Sequence, residues 1–259
     1  MRVERDGGVA ILTLDRPDVL NAFDEALTAA LAVAVTDAAH DAAVRCVVIT
    51  GAGRAFSAGQ DLRDRAAALG RRADLQLGDE LRRRYHPVVV AIREMRKPVI
   101  AAVNGIAAGA GFGLAASCDV RVCAESATFR AAWSKVGLVP DAGAAYFLPR
   151  IVGWGRATDI VLSGDVITSD AALGIGLATR VWPDAEFADR WRAYARDLAA
   201  GATVAYALIK EGLNAAWDRG LRDFLEVEAA LQDRAGRSKD YAEGVQAFLE
   251  KRPATFSGS

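Results

Sequence analysis

Lys97-Pro98-Val99-Ile100-Ala101-Ala102-Val103-Asn104-Gly105-Ile106-Ala107-Ala108-Gly109-Ala110-Gly111-Phe112-Gly113-Leu114-Ala115 decides the fold. The β-branched run Val99, Ile100, Val103 reads as a buried strand, and the Gly/Ala tract after it reads as a tight turn feeding a closely packed helix. A helix that starts this way leaves its first backbone N–H groups unpaired, and the helix dipole adds to their pull on an anion or on a carbonyl gaining negative charge.

The same arrangement occurs once before. Cys46-Val47-Val48-Ile49-Thr50 is a β-branched strand, and Gly51-Ala52-Gly53-Arg54-Ala55-Phe56-Ser57-Ala58-Gly59-Gln60-Asp61-Leu62 is a small-residue loop ending in a polar cluster. Either loop alone is an ordinary β-to-α connection. Two such units can aim two N–H donors at one oxygen.

Around this pair, Val3 to Leu14 alternates about Asp6-Gly7-Gly8 as a hairpin, and an Ala-rich helix runs to about His40 with Asp24 or Asn21 as N-cap. Arg63 to Arg84 reads as a loop and a charged helix, interrupted at Tyr85-His86-Pro87 because proline cannot serve the preceding turn. Asp119 to Ala124 is a further strand, and Asp141 opens a helix to about Val152. From about Ala185 the pattern is helical only: Phe187–Ala200, Thr203–Gly212, Leu221–Gly236 and Tyr241–Glu250, with Phe224, Leu225, Val227 and Leu231 forming an apolar stripe.

The 259 residues suffice for one large core. With 32 basic and 33 acidic residues there is no broad field to recruit nucleic acid or an anionic membrane. Cys46, Cys118 and Cys123 lie in apolar runs with neither disulfide nor zinc spacing, so they read as reduced core thiols. His40 and His86 have no partner at metal-ligand spacing. The chain starts on a strand pattern with no apolar run long enough to span a bilayer, so the expectation is a cytoplasmic protein.

Ala55 to Leu62, Asn104 to Gly111 and Gly137-Leu138-Val139-Pro140-Asp141-Ala142-Gly143 together resemble the crotonase (enoyl-CoA hydratase/isomerase) superfamily, over nearly the whole chain. The resemblance implies an α/β fold, a spiral of ββα units over residues 1–195, with a C-terminal helical region, 196–259, that assembles trimers or pairs of trimers. It implies an acyl-CoA thioester as ligand and no cofactor beyond the coenzyme A of the substrate. The thioester carbonyl would lie between the backbone N–H groups of Gln60 and Ala110, where the side chains are free to vary. Ala22 and Phe23 would lie along the pantetheine, with Ala58, Asp61, Leu62 and Gly109 around the acyl end. Arg63, Arg65, Arg71 and Arg72 would lie near the adenosine phosphates, although for most of them a solvated helix face is the preferred reading.

The superfamily's hydratases carry glutamates where this chain has Gly113 and Trp133. Addition of water needs one group to activate water and a proton source for carbon, so hydration loses its equipment. Asp141 matches the acid of some enoyl-CoA isomerases and of the ring-epoxide isomerase of phenylacetyl-CoA degradation, a subgroup the chain also resembles at Gly59–Arg65, Ser134–Asp141 and Ala235–Arg252. One acid suffices to move a proton between two carbons. The alternative for Asp141 is a helix N-cap. Two further readings stay open. In an aryl-CoA dehalogenase Asp141 would be the nucleophile, held by the Trp133 N–H, with His86 activating water. In a silent acyl-CoA binder the fold would serve without turnover.

Overall fold

The computed structural model describes residues 1–63 and 76–259. Arg65, Arg71 and Arg72 lie outside the described residues.

The hairpin forms as expected, β1 (Arg2–Asp6) against β2 (Val9–Leu14), turning through Gly7 at φ 56°. β2 starts a run of parallel neighbours: β3 (Cys46–Gly51), β5 (Val99–Val103), β7 (Val120–Ala124) and β10 (Arg180–Trp182) complete a six-stranded sheet in the order β1-β2-β3-β5-β7-β10. β2 and β5 are buried at every position, so β2, expected to alternate, is instead covered on both faces, as the apolar run of β5 is.

A second sheet was hidden in the glycine-rich connections. The loops after β3 and β5 are not simple turns into helices: each carries a three-residue strand, β4 (Ala55–Ser57) and β6 (Ile106–Ala108). With β8 (Thr128–Arg130) and β9 (Val166–Thr168) they form the order β4-β6-β8-β9. Strands therefore alternate between the sheets as β3-β4, β5-β6, β7-β8, and the expected ββα spiral is the result. Strands of three residues carry almost no periodic signal.

Helix α1 (Glu25–His40) is capped by Asp24, whose carboxylate accepts from the Leu27 N–H at 2.7 Å. Asn21 is not the cap. It sits fully buried in the left-handed region at φ 55°, donating to Ala52 O and Ala55 O and accepting from the Arg16 N–H. Helices α2 (Leu77–Arg84) and α3 (His86–Glu94) meet at Tyr85, with Pro87 in the first turn of the second, where its missing N–H costs nothing. Helix α4 (Ala110–Ser117) follows β6 and is buried along its whole length.

Beyond these, α5 is Ala144–Val152, α6 Trp154–Ser163 and α7 Ser169–Gly174. The C-terminal helices are α8 (Asp184–Ala200), α9 (Thr203–Ala215), α10 (Leu221–Gly236) and α11 (Lys239–Glu250). α8 runs unbroken through residue 195 and packs on β2, β3 and β7 of the large sheet. The apolar stripe divides: Leu231 is buried over Gly212 of α9, whereas Leu225 faces solvent.

Helix α9 is fastened to the core by a charge. Lys210 is 7% exposed and its Nζ donates to Asp119 Oδ2 and to Ile92 O, both at 2.7 Å. Burial pulls the ammonium pKa down and Asp119 pulls it back up. Removing one partner of such a pair typically costs about 3–5 kcal/mol. Arg93 also reaches Asp119, at 2.9 Å, so Lys210→Met is expected near the lower end, measured by denaturant unfolding.

All three cysteines are free and buried, and burial raises each thiol to about 12. Because the thiolate is the reactive form, an aromatic disulfide reagent at pH 8 is expected to leave the native protein unlabelled and to label three thiols after denaturation.

Candidate active site

The Gln60 loop is laid down by a strand-like contact with the chain just before α1. Phe23 forms an isolated parallel bridge with Gln60, donating to Gly59 O at 2.7 Å and accepting from the Asp61 N–H at 3.0 Å. In a parallel ladder that pattern uses the neighbours of Gln60 and turns its own N–H to the opposite side. Arg16 secures the loop from below, pairing with Asp61 at 3.1 Å and Asp24 at 3.2 Å and donating to Ala22 O. Asp61 is 8% exposed and also accepts from the Arg63 N–H, so its carboxylate is spent on holding the loop.

Ala110 is the first residue of α4, so its N–H is one of the donors that a helix start leaves without an intrahelical partner. Gly109 supplies the turn at φ 49° and ψ −126°. The two loops touch backbone to backbone: a Cβ placed on Gly59 would lie 2.6 Å from Ala108 O and 3.3 Å from Ala110 N. The donor-bearing loops predicted from sequence are thus brought into contact.

The third piece is the Asp141 turn. After β8 the chain enters a short 3-10 turn, Ser134–Val136, and passes Gly137, Ala142 and Gly143 with φ of 70°, 47° and 79°. Helix α5 begins at Ala144 with Gly143 as N-cap residue, so Asp141 does not open the helix. Its Oδ1 accepts from Trp133 Nε1 at 2.9 Å. Trp133 is buried and stacks on Phe112 at 6.3 Å between ring centroids. A Cβ on Gly113 would meet Ala142 Cβ at 2.8 Å and Asp141 O at 2.9 Å, so the Asp141–Ala142 turn occupies the space that any side chain at position 113 needs.

The remaining expected residues separate. Ala22 and Phe23 are buried, and the Phe23 ring lies edge-on to Tyr85 at 6.0 Å, within the core. Ala58 is half-buried, its N–H bonded to Leu20 O, while Leu62 and Arg63 are exposed. His86 is exposed at the first turn of α3 and forms no hydrogen bond to Trp133 or Asp141 among the described residues. No group of three or more His, Cys, Asp or Glu is placed to hold a metal ion among the described residues.

Sequence reasoning missed Arg16, Tyr85 and the true role of Asn21. Tyr85 donates its hydroxyl to Gln60 Oε1. The available signal was slight: an Arg before a Pro-Asp turn, and an aromatic at the break between two helices.

The enoyl-CoA hydratase/isomerase family model matches residues 4–259. The chain belongs to this family. A Rhodobacter capsulatus protein named "probable enoyl-CoA hydratase" is 45% identical over 258 residues, covering 100% of this chain and 98% of that relative. The 1,2-epoxyphenylacetyl-CoA isomerase of Escherichia coli K12 is 43% identical, covering 97% of this chain and 95% of its own. A solved Mycobacterium abscessus structure, presented as a candidate enoyl-CoA hydratase/isomerase, superposes with a TM-score of 0.94 at 38% identity, covering 100% of each chain. In this member of the enoyl-CoA hydratase/isomerase family one aspartate, bonded by an indole, stands in a turn that fills the place of a side chain at 113.

Gly59→Ala is a direct test of the loop contact. The added Cβ clashes with a backbone oxygen at a φ of 88°, so the Gln60 loop must shift. Loss of one carbonyl donor typically lowers kcat by about 10²–10³; a fall of that size in turnover of an acyl-CoA ester is expected, with the melting temperature reported alongside.

Proposed function

We propose that the chain is an acyl-CoA isomerase of the enoyl-CoA hydratase/isomerase family, with the Gln60 and Ala110 N–H groups as carbonyl donors and Asp141 as shuttle base. The observation that carries this is the Trp133–Asp141 hydrogen bond together with the filled space at Gly113. At the two positions where hydration calls for carboxylates, one residue holds Asp141 and the other makes room for its turn. What is left is a single oriented acid.

For a 3-enoyl ester the Asp141 carboxylate takes a proton from C2, the electron pair delocalises into the thioester as a dienolate, and the same proton returns at C4. Negative charge grows on the carbonyl oxygen and falls away again, which is what two fixed N–H donors stabilise. The step moves a proton and no net electrons, so it calls for no redox group. The similarity to the 1,2-epoxyphenylacetyl-CoA isomerase extends the reading to opening of a ring epoxide next to the same enolate. Trp133 donates to one carboxylate oxygen and so aims the other.

The same indole bond fits the aryl-CoA dehalogenase reading, in which Asp141 attacks carbon. Its water-activating partner, His86, is exposed and unbonded to the pair, which favours the base. Asp141→Asn separates the cases. With trans-3-enoyl-CoA, gain of conjugation without mass change is expected for the wild type, falling about 10²–10⁴-fold in the variant at unchanged melting temperature. Release of halide from 4-chlorobenzoyl-CoA would reassign Asp141 as nucleophile. Binding of all esters without turnover by the wild type would leave a silent binder.

We further propose a cytoplasmic homotrimer, or a pair of trimers, assembled through the 196–259 region. Leu221, Leu225, Tyr241, Val245, Phe248 and Leu249 expose apolar surface on α10 and α11, and Phe248 is 82% exposed in the single chain. Sedimentation at three or six times the 27.4 kDa chain mass is expected; a monomer overturns the assembly.

A further inference from the structure

Four peptide groups join Ser57 to Asp61, and the chain before α1 holds three of them. The Ala58 N–H donates to Leu20 O at 2.9 Å, Gly59 O accepts from the Phe23 N–H at 2.7 Å, and the Asp61 N–H donates to Phe23 O at 3.0 Å. The remaining one, the Ala58–Gly59 peptide, is held by a side chain instead. Its N–H donates to Ser57 Oγ at 3.2 Å, and the same hydroxyl donates to Asn21 O at 2.8 Å. Neither the Gly59 N–H nor Asn21 O has another hydrogen-bond partner among the described residues. Ser57 and Asn21 are both fully buried, so loss of the hydroxyl strands two backbone groups out of reach of water.

That one peptide governs where the Gln60 N–H points. A trans peptide sets its N–H opposite its C=O, so the Gly59–Gln60 unit turns its donor away from Phe23. It keeps that direction only while Gly59 stays at φ 88°, and glycine takes φ of either sign about equally well. Gly59 therefore supplies no lock of its own. The lock is the pair of hydrogen bonds on either side of its Cα, from its N–H to Ser57 Oγ and from the Phe23 N–H to its C=O. Ser57 also lies against the second donor-bearing segment: a Cβ on Gly111, the neighbour of Ala110, would sit 3.0 Å from Ser57 Oγ, 2.8 Å from its Cβ and 2.6 Å from its O. One hydroxyl is thus wedged between the Gln60 loop and the first turn of α4.

We infer that Ser57 is a positioning residue for the carbonyl donors: its hydroxyl locks the Ala58–Gly59 peptide and, through it, the direction of the Gln60 N–H beside Ala110. This rests on the reading of Gln60 and Ala110 as the donor pair and adds the group that aims it. Ser57 acts through the backbone, not on the ester. Without its hydroxyl, Gly59 is free to change φ and the Gln60 N–H swings. A donor that must be brought into line as charge develops weakens transition-state stabilisation more than ground-state binding, so the loss falls on kcat rather than on KM.

The test reads the carbonyl directly. Infrared difference spectra of butyryl-CoA, isotopically labelled at the thioester carbonyl carbon, are recorded on the wild type, Ser57→Ala and Ser57→Cys, beside melting temperatures and the kcat and KM for trans-3-enoyl-CoA. Two aligned N–H donors lower the carbonyl stretch on binding to the wild type. The shift is expected to shrink in Ser57→Ala and to be intermediate in Ser57→Cys, whose thiol donates and accepts weakly. The kcat of Ser57→Ala is expected to fall about tenfold to a hundredfold, less than outright loss of a donor costs, with KM within about twofold of the wild type. A purely structural role would lower the melting temperature and leave the shift and kcat of the folded enzyme unchanged. A full shift in Ser57→Ala, or a loss confined to KM, overturns the inference; should Ser57→Ala fail to fold, an undiminished shift and kcat in Ser57→Cys overturn it. A carbonyl unshifted in the wild type overturns the donor pair and the inference with it. A shifted carbonyl without turnover of the 3-enoyl ester overturns the isomerase reading alone, and the comparison of shifts still decides for Ser57.

Discussion

Everything in the site depends on two connections lying closer together than any side chain allows. A Cβ on Gly105 would sit 2.1 Å from Arg54 O, and one on Gly59 2.6 Å from Ala108 O. The absence of a side chain lets the loop after β3 and the loop after β5 pair as β4 and β6, and that pairing brings the Gln60 loop to the start of α4. In the role proposed for them as carbonyl donors, backbone N–H groups need no side-chain rotamer to be frozen, so their direction is fixed during folding.

Polar groups then pin what the glycines permit. Arg16 ties Asp24, Ala22 and Asp61 into one cluster, and Asn21, in the left-handed region, satisfies two carbonyls of the Gly51–Ser57 connection. Asparagine tolerates that conformation better than most residues, which gives its presence there a local reason. The acid is handled in the same manner: Phe112 stacks on Trp133, Trp133 bonds Asp141, and Gly113 on the same helix as Phe112 leaves room for the turn. Residues 112 and 113 thus place the carboxylate without touching its oxygens.

Much of this was legible in the residues. The β-branched runs at Val47–Ile49 and Val99–Val103 became central strands, the helix break fell at Tyr85–Pro87, and the four C-terminal helices came within three residues of their expected limits. The second sheet was not, because β4, β6, β8 and β9 are three residues long and are defined by their pairing, not by their own pattern. Asp141 was marked as a candidate acid from its motif, but its alternative as a helix opener failed only once the helix was seen to begin at Ala144.

The sequence by itself determined which segments must be buried, where the backbone must be free of side chains, and which single acid stands in the Pro-Asp-Ala-Gly turn. These are properties of residue type and near-neighbour spacing, and they act over a few residues. Tertiary structure alone decided that the Gln60 amide meets Tyr85, that Trp133 turns its N–H to Asp141, that Asn21 is a pin and not a cap, and that Lys210 crosses to Asp119. Each joins residues whose meeting depends on the path of the whole chain, and hydrogen-bond direction is set only when both partners' backbones are in place.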